Sequence, residues 1–96
     1  MDQIIFETKL TSDGFTEIEA KTLGPRPANA EHAHDFDIRG LVLNGIFIVW
    51  QDDRPITYRT GEVFSVPAGR KHSEEIGADG VRIVGRRYRE PQAKVK

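Results

Sequence analysis

Residues 61–72 read Gly-Glu-Val-Phe-Ser-Val-Pro-Ala-Gly-Arg-Lys-His, and residues 32–34 read His-Ala-His. His32, His34 and His72 are the three histidines of a 96-residue chain. In an extended strand, residues two apart point to the same side, so His32 and His34 present both imidazoles to one face. His72 follows a Gly- and Pro-containing turn, Pro67-Ala68-Gly69-Arg70, that can aim the backbone sharply. Imidazole suits zinc, iron, copper and nickel alike, and it ligates as the neutral ring near pH 7. Three histidines in this pattern point to a metal site with His32, His34 and His72 as ligands.

The two segments resemble the two sequence motifs of the cupin superfamily. The first motif runs G-x5-H-x-H-x3,4-E-x6-G, and His32, His34 and Gly45 match it. The second runs G-x5-P-x-G-x2-H-x3-N, and Gly61, Pro67, Gly69 and His72 match at every spacing. Fifteen residues, Ile46 to Thr60, separate the two. Three positions depart from the pattern. Ile38 stands where the first motif has Glu, with Asp35 and Asp37 as the nearest carboxylates. Ile76 replaces the Asn of the second motif. Arg26 takes the place of the early Gly, with Gly24 two residues away.

The resemblance implies an all-β fold, the double-stranded β-helix or jelly-roll barrel, with the histidines converging on its interior. It also implies a divalent transition metal (iron, manganese, nickel or zinc). The usual fourth ligand is missing at Ile38. Asp37, one residue away, and Glu74, on the face of His72 by period-2 counting, are the candidate catalytic or extra ligating residues. Glu75 would then face outward. Asp35 reads as a turn or capping residue.

The remaining chain reads as β almost throughout. Ile4–Leu10 and Phe15–Leu23, joined by Ser12-Asp13-Gly14, look like a first hairpin, ended by Gly24-Pro25-Arg26-Pro27. Leu41–Leu43 and Ile46–Trp50 form a second around Asn44-Gly45, the dipeptide favoured in two-residue turns. Turns follow at Asp52–Pro55, Thr60–Glu62, Pro67–Arg70 and Ile76–Gly80. Between them lie strands Ile56–Arg59, Val63–Val66 and Val81–Tyr88. No segment reads as a helix longer than one turn. Turn signals every eight to twelve residues suit a sandwich or barrel. The expected core is Ile38, Val42, Ile46, Phe47, Ile48, Val49, Trp50, Phe64 and Val66, with Val81, Ile83 and Val84 from the last strand.

Length predicts one domain over residues 1–90, with 91–96 as a loose tail. The formal charge of −1 offers no electrostatic case for nucleic acid or an anionic membrane. Residues 1–48 carry eight acids against four bases, while arginines and lysines crowd the C-terminal end, which reads as a solvated strand face and a frayed tail. The absence of cysteine excludes disulfides, thiolate metal sites and a cysteine nucleophile. MDQIIFETKL lacks a basic n-region, and no apolar run reaches bilayer length, so a cytoplasmic location is expected.

Two functional classes follow from the resemblance. One is a metal-dependent enzyme of dioxygenase, decarboxylase, isomerase or lyase type acting on a small organic molecule. The other is a small-molecule-binding or sensing module without turnover. The apolar Ile4-Ile5-Phe6 run, as a strand edge in need of cover, points to a homodimer.

Overall fold

The structure, a computed structural model, describes residues 2–15 and 17–88. Its elements are α1 (Gln3–Ser12), β1 (Glu17–Leu23), β2 (Asp37–Gln51), β3 (Arg54–Arg59), β4 (Val63–Val66) and β5 (Ser73–Tyr88). All strand pairs are antiparallel. β5 lies between β1 and β2, and the other edge of β2 is shared by β4 on Ile38–Leu41 and β3 on Ile46–Gln51. The tail expected after Glu90 lies outside the described residues.

Two expected turns are bends within long strands. β2 continues through Asn44-Gly45, and β5 continues through Ile76–Gly80. The ladder pairs Gly45 with Val81 and then Phe47 with Ile76, so residues 77–80 stand against Ile46 alone. Gly45 has φ +93° and Gly80 has φ +76°. A side chain on Gly45 would collide with the carbonyl of Gly80. Glycine at these facing positions lets both strands bend together where the sequence reading expected a reversal. β5 pairs with Asn44 and Gly45 along one edge of β2, and β3 takes up the other edge from Ile46, so the strand continues past the dipeptide. By contrast, Asp52 and Asp53 do form the expected tight turn, with φ of 55° and 62° at the two central positions.

The first segment corrects the sequence reading most sharply. Ile4–Leu10 is helical, not a strand. The Asp2 side chain accepts a hydrogen bond from the backbone N–H of Ile5 and caps the N-terminus. Gly14, at φ +93°, donates its N–H to the Thr11 carbonyl, and Phe15 donates to that of Leu10. Those two bonds make a Schellman cap out of the cluster Ser12-Asp13-Gly14. Phe6 and Leu10, one turn apart, are buried with Phe15, Leu41 and Val84. Because the segment is helical, it offers no strand edge for a partner.

Two apolar layers result from strand alternation. Leu41 and Val84 are paired in register and face the helix, while their neighbours Val42 and Ile83 face the barrel interior. The interior holds Val42, Phe47, Val49, Phe64, Val66, Ile76 and Val81, with Ile38, Leu23, Tyr58 and Ile83 packed against it. Of the expected core, Ile46 is exposed, and Ile48 and Trp50 are half-buried, the Trp50 indole donating to Glu75 Oε1 at 2.9 Å. Arg39 ties the sheet to the helix end. Its guanidinium bonds Asp13 at 2.6 Å and sits 4.7 Å from the centre of the Phe15 ring. That bond is the main reason the Asp13 carboxyl titrates below its usual value.

Helical packing of the first segment predicts unequal effects. Leu10→Ala is expected to lower stability by about 2–5 kcal/mol in urea unfolding, and Ile4→Ala by no more than about 0.5 kcal/mol. Equal losses would instead favour a strand, in which the two side chains share a face.

Candidate metal centre

His32 and His72 meet across an isolated antiparallel bridge. Each donates its backbone N–H to the other's carbonyl at 2.9 Å. The bridge ends an irregular pairing in which residues 26–32 run beside residues 72–76. Arg26 pairs with Ile76, and the Asn29 N–H donates to the Glu74 carbonyl at 3.2 Å. The Asn29 side-chain oxygen accepts from the Glu74 N–H at 2.8 Å, a side-chain substitute for a ladder bond. Pro27 has no N–H to give, which breaks regular pairing at that point. The Gly69 N–H then reaches the His34 carbonyl at 2.7 Å, so the turn before His72 is tied to the segment that carries His34.

These links bring the three imidazoles together. Ring centres lie 5.0 Å apart for His32 and His34, 4.4 Å for His32 and His72, and 5.5 Å for His34 and His72. One donor atom from each ring lies within 4.8 Å of the other two, so the group could hold a metal ion. Phe36 stacks on the His34 ring at 4.7 Å and 15° and sets its plane.

The hydrogen bonds decide which nitrogens are available. His32 Nδ1 lies 2.8 Å from the Ala30 carbonyl oxygen, and His72 Nδ1 lies 3.0 Å from that of Arg70. A carbonyl can only accept, so Nδ1 carries the proton in both rings and the neutral ring presents a bare lone pair at Nε2. Orientation of a ligating imidazole by a hydrogen bond from its other nitrogen is the usual arrangement at metal sites. His72 is fully buried, and its Nε2 has no hydrogen-bond partner among the described residues. A buried polar atom without a partner is costly, and a metal ion would satisfy it. The donor set therefore fits a divalent ion.

Glu74 is half-buried and projects toward His72. Its Oε2 lies 3.5 Å from His72 Nε2, and its Oε1 lies 3.6 Å from Arg26 Nη2. Arg26 Nη1 also donates to the Glu74 carbonyl at 2.8 Å. Asp37 goes elsewhere. Its Oδ1 accepts from the Ala68 N–H at 2.8 Å and braces the turn before His72, and Asp37 does not line the cavity. Sequence reasoning missed Arg26 and Asn29, which hold Glu74. The unexpected cation at a motif glycine was the available signal for the first.

A cavity of about 200 Å³ opens beside the site. Phe36, Ile38, Phe47 and Phe64 supply apolar wall, and His34, Glu74, Glu19 and Lys21 supply polar groups. This is less than the roughly 300–1,000 Å³ of pockets that enclose drug-sized ligands. Ile38 lines the same cavity as His34 and Glu74. Ile38→Glu should therefore strengthen binding of an added divalent ion by about tenfold or more, read by titration calorimetry. An unchanged affinity would place position 38 out of reach of the ion.

No protein-family model matches the sequence, and no curated protein matches it. Solved structures do. The EutQ protein of Clostridium difficile superposes with a TM-score of 0.64 at 18% identity, over 74% of this chain and 54% of its own length. This chain thus spans about half of that protein. A cupin-2 domain protein from Shewanella frigidimarina gives a TM-score of 0.61 at 19% identity, over 83% of this chain and 88% of the other. A predicted oxalate decarboxylase from Thermotoga maritima gives 0.62 at 16%, over 81% and 70%. At such identities the likeness speaks for the fold. The fold of this chain is a cupin-like jelly-roll β-barrel.

Proposed function

We propose that this chain is a metal-binding small cupin, in which His32, His34 and His72 hold one divalent transition-metal ion next to a cavity for a small organic molecule. The observation that carries this reading is the three-imidazole cluster, with the buried Nε2 of His72 left bare by the bond from its Nδ1. When bound, such an ion would supply Lewis-acid polarisation of a polar group on the bound molecule. The chain's own residues do the rest. Phe36, Ile38, Phe47 and Phe64 bury the apolar part of a ligand and exclude water, while His34 and Glu74 mark the polar end of the cavity.

A metal-dependent enzyme on a small molecule is one form of this reading, of dioxygenase, decarboxylase, isomerase or lyase type. The Thermotoga maritima neighbour, named a predicted oxalate decarboxylase, makes a small carboxylate the first substrate class to assay. Binding or sensing without turnover is the second form. It is favoured by Ile38, an apolar side chain in the cavity at the position where the family motif carries Glu.

Elemental analysis of protein purified without a histidine tag tests the core of the proposal. Close to one ion per chain is expected, and His72→Ala should lose it. A metal-free protein that takes up none of iron, manganese, nickel or zinc on addition would sink the three-histidine reading.

The proposed assembly is a homodimer. Ile4 and Ile5, 74% and 60% exposed on α1, are an apolar surface that a second copy would cover. Light scattering at micromolar concentration should give about twice the 10.8 kDa chain mass, and the monomer mass would rule the dimer out. α1 has ten residues, and among the described residues no helix is long and apolar enough to cross a membrane.

A further inference from the structure

We propose that Glu19 and Lys21, on the inner face of β1, bind the ammonium and the carboxylate of an α-amino acid whose apolar side chain, of about leucine size, fills the cavity. The inference rests on the reading above that this cavity takes a small organic molecule. It names the class of that molecule and does not require the ion.

β1 places charge where strand alternation calls for apolar side chains. Ile18 packs in the layer beneath α1, and Ala20 pairs with Val84 of that layer. Glu19, Lys21 and Leu23 take the opposite face, in register with Gly85, Ile83 and Val81, and line the cavity. Leu23 and Ile83 pack against the barrel core. Two charged residues therefore occupy inward positions of a barrel strand. β1 is an end strand of the sheet, and an inward charge there can discourage strand pairing, but one lysine would do that. A pair of opposite sign beside an apolar cavity has a further use.

Among the described residues, the ion pair these two side chains make is with each other, and it is loose. Lys21 Nζ stands 3.8 Å from Glu19 Oε2, with the side chains 46% and 60% exposed. Such a pair is weak, so a ligand separates it at little cost. Arg39, which also lines the cavity, is already held by Asp13 and Phe15. A lone carboxylate at Lys21 would meet the like charge of Glu19, and a lone amine at Glu19 would meet that of Lys21. A zwitterion gives each an opposite charge on neighbouring atoms. Beyond the pair the wall is apolar, supplied by Phe36, Ile38, Phe47 and Phe64. The Phe64 ring lies where a side chain at Gly40 would stand, so it rests directly on β2. The cavity volume of about 200 Å³ is the share of about seven waters at ~30 Å³ each. That is room for a branched aliphatic side chain and little more.

Calorimetric titration of metal-stripped protein with L-leucine, isocaproate and isoamylamine provides the test. Isocaproate is leucine without the ammonium, and isoamylamine is leucine without the carboxylate. Leucine should bind at least about tenfold tighter than either. Glu19→Gln and Lys21→Gln should each weaken leucine binding by about fivefold or more. Each loss should be selective: Glu19→Gln erases the preference over isocaproate, and Lys21→Gln erases that over isoamylamine. No leucine binding by wild-type protein, or no preference over either analogue, would overturn the proposal. So would wild-type leucine affinity in either variant, or weaker binding with both preferences intact, since the pair would then only shape the strand. If a variant does not fold, the three ligands on wild-type protein decide alone. Cobalt(II) titrated separately keeps the two readings apart. Protein that binds cobalt but not leucine loses this proposal and keeps the three-histidine site, and the reverse result loses the site instead.

Discussion

Everything in this molecule depends on the antiparallel pairing of β2 with β5 along nearly their whole lengths, bent where Gly45 faces Val81 and Gly80. N-terminal to the bend, β2 meets the second half of β5 and β4. C-terminal to it, β2 meets the first half of β5 and β3. One pair of strands therefore contributes to both apolar layers. It also delivers the start of β5, directly after His72, to the segment that carries His32 and His34. A regular hairpin at Asn44-Gly45 would have ended β2 early and left β5 without its long partner.

The candidate centre is assembled mostly by backbone. The His32–His72 bridge, the Gly69-to-His34 bond and the Asp37-to-Ala68 bond fix three segments against one another without using any imidazole. The rings are then oriented by carbonyls two residues upstream, at Ala30 and Arg70. Division of labour of this kind leaves Nε2 of His32 and His72 free of structural duty. It also leaves His72 with an unmet polar need, since its buried Nε2 has no hydrogen-bond partner among the described residues and faces the Glu74 carboxylate at 3.5 Å. Burial makes that need more acute, because few waters can compensate a fully enclosed nitrogen.

Much of this was legible beforehand. The Gly61/Pro67/Gly69/His72 spacing identified the turn that aims His72, and the period of two identified the shared side of His72 and Glu74. Val42, Phe47, Val49, Phe64 and Val66 were expected in the core and are buried, but the unbroken apolar run from Ile46 to Trp50 did not reveal that Ile46, Ile48 and Trp50 lie on the other face. The first segment was not legible. In Ile4-Ile5-Phe6-Glu7-Thr8-Lys9-Leu10, the spacing of Phe6 and Leu10 suits a helix turn, and that of Ile4, Phe6 and Leu10 suits a strand face. Asp2 at the N-cap and the lack of glycine or proline within residues 3–12 favoured the helix. The choice was made by docking of Phe6 and Leu10 onto Leu41 and Val84, residues more than thirty positions away.

The sequence by itself determined the β character of the chain, the identity of the clustered histidines and the lack of an acid at position 38. These follow from residue type and short-range spacing, which act within a few residues. Tertiary structure alone decided that glycines at 45 and 80 bend strands instead of reversing them, because β2 and β5 pair with each other on both sides of the bend. It likewise set the surroundings of the two candidate carboxylates. Asp37 was drawn to a backbone N–H at Ala68, and Glu74 was turned toward His72 by Arg26 from the neighbouring segment. Side-chain partners of that kind lie 31 and 48 residues apart in the chain, beyond the reach of any local pattern.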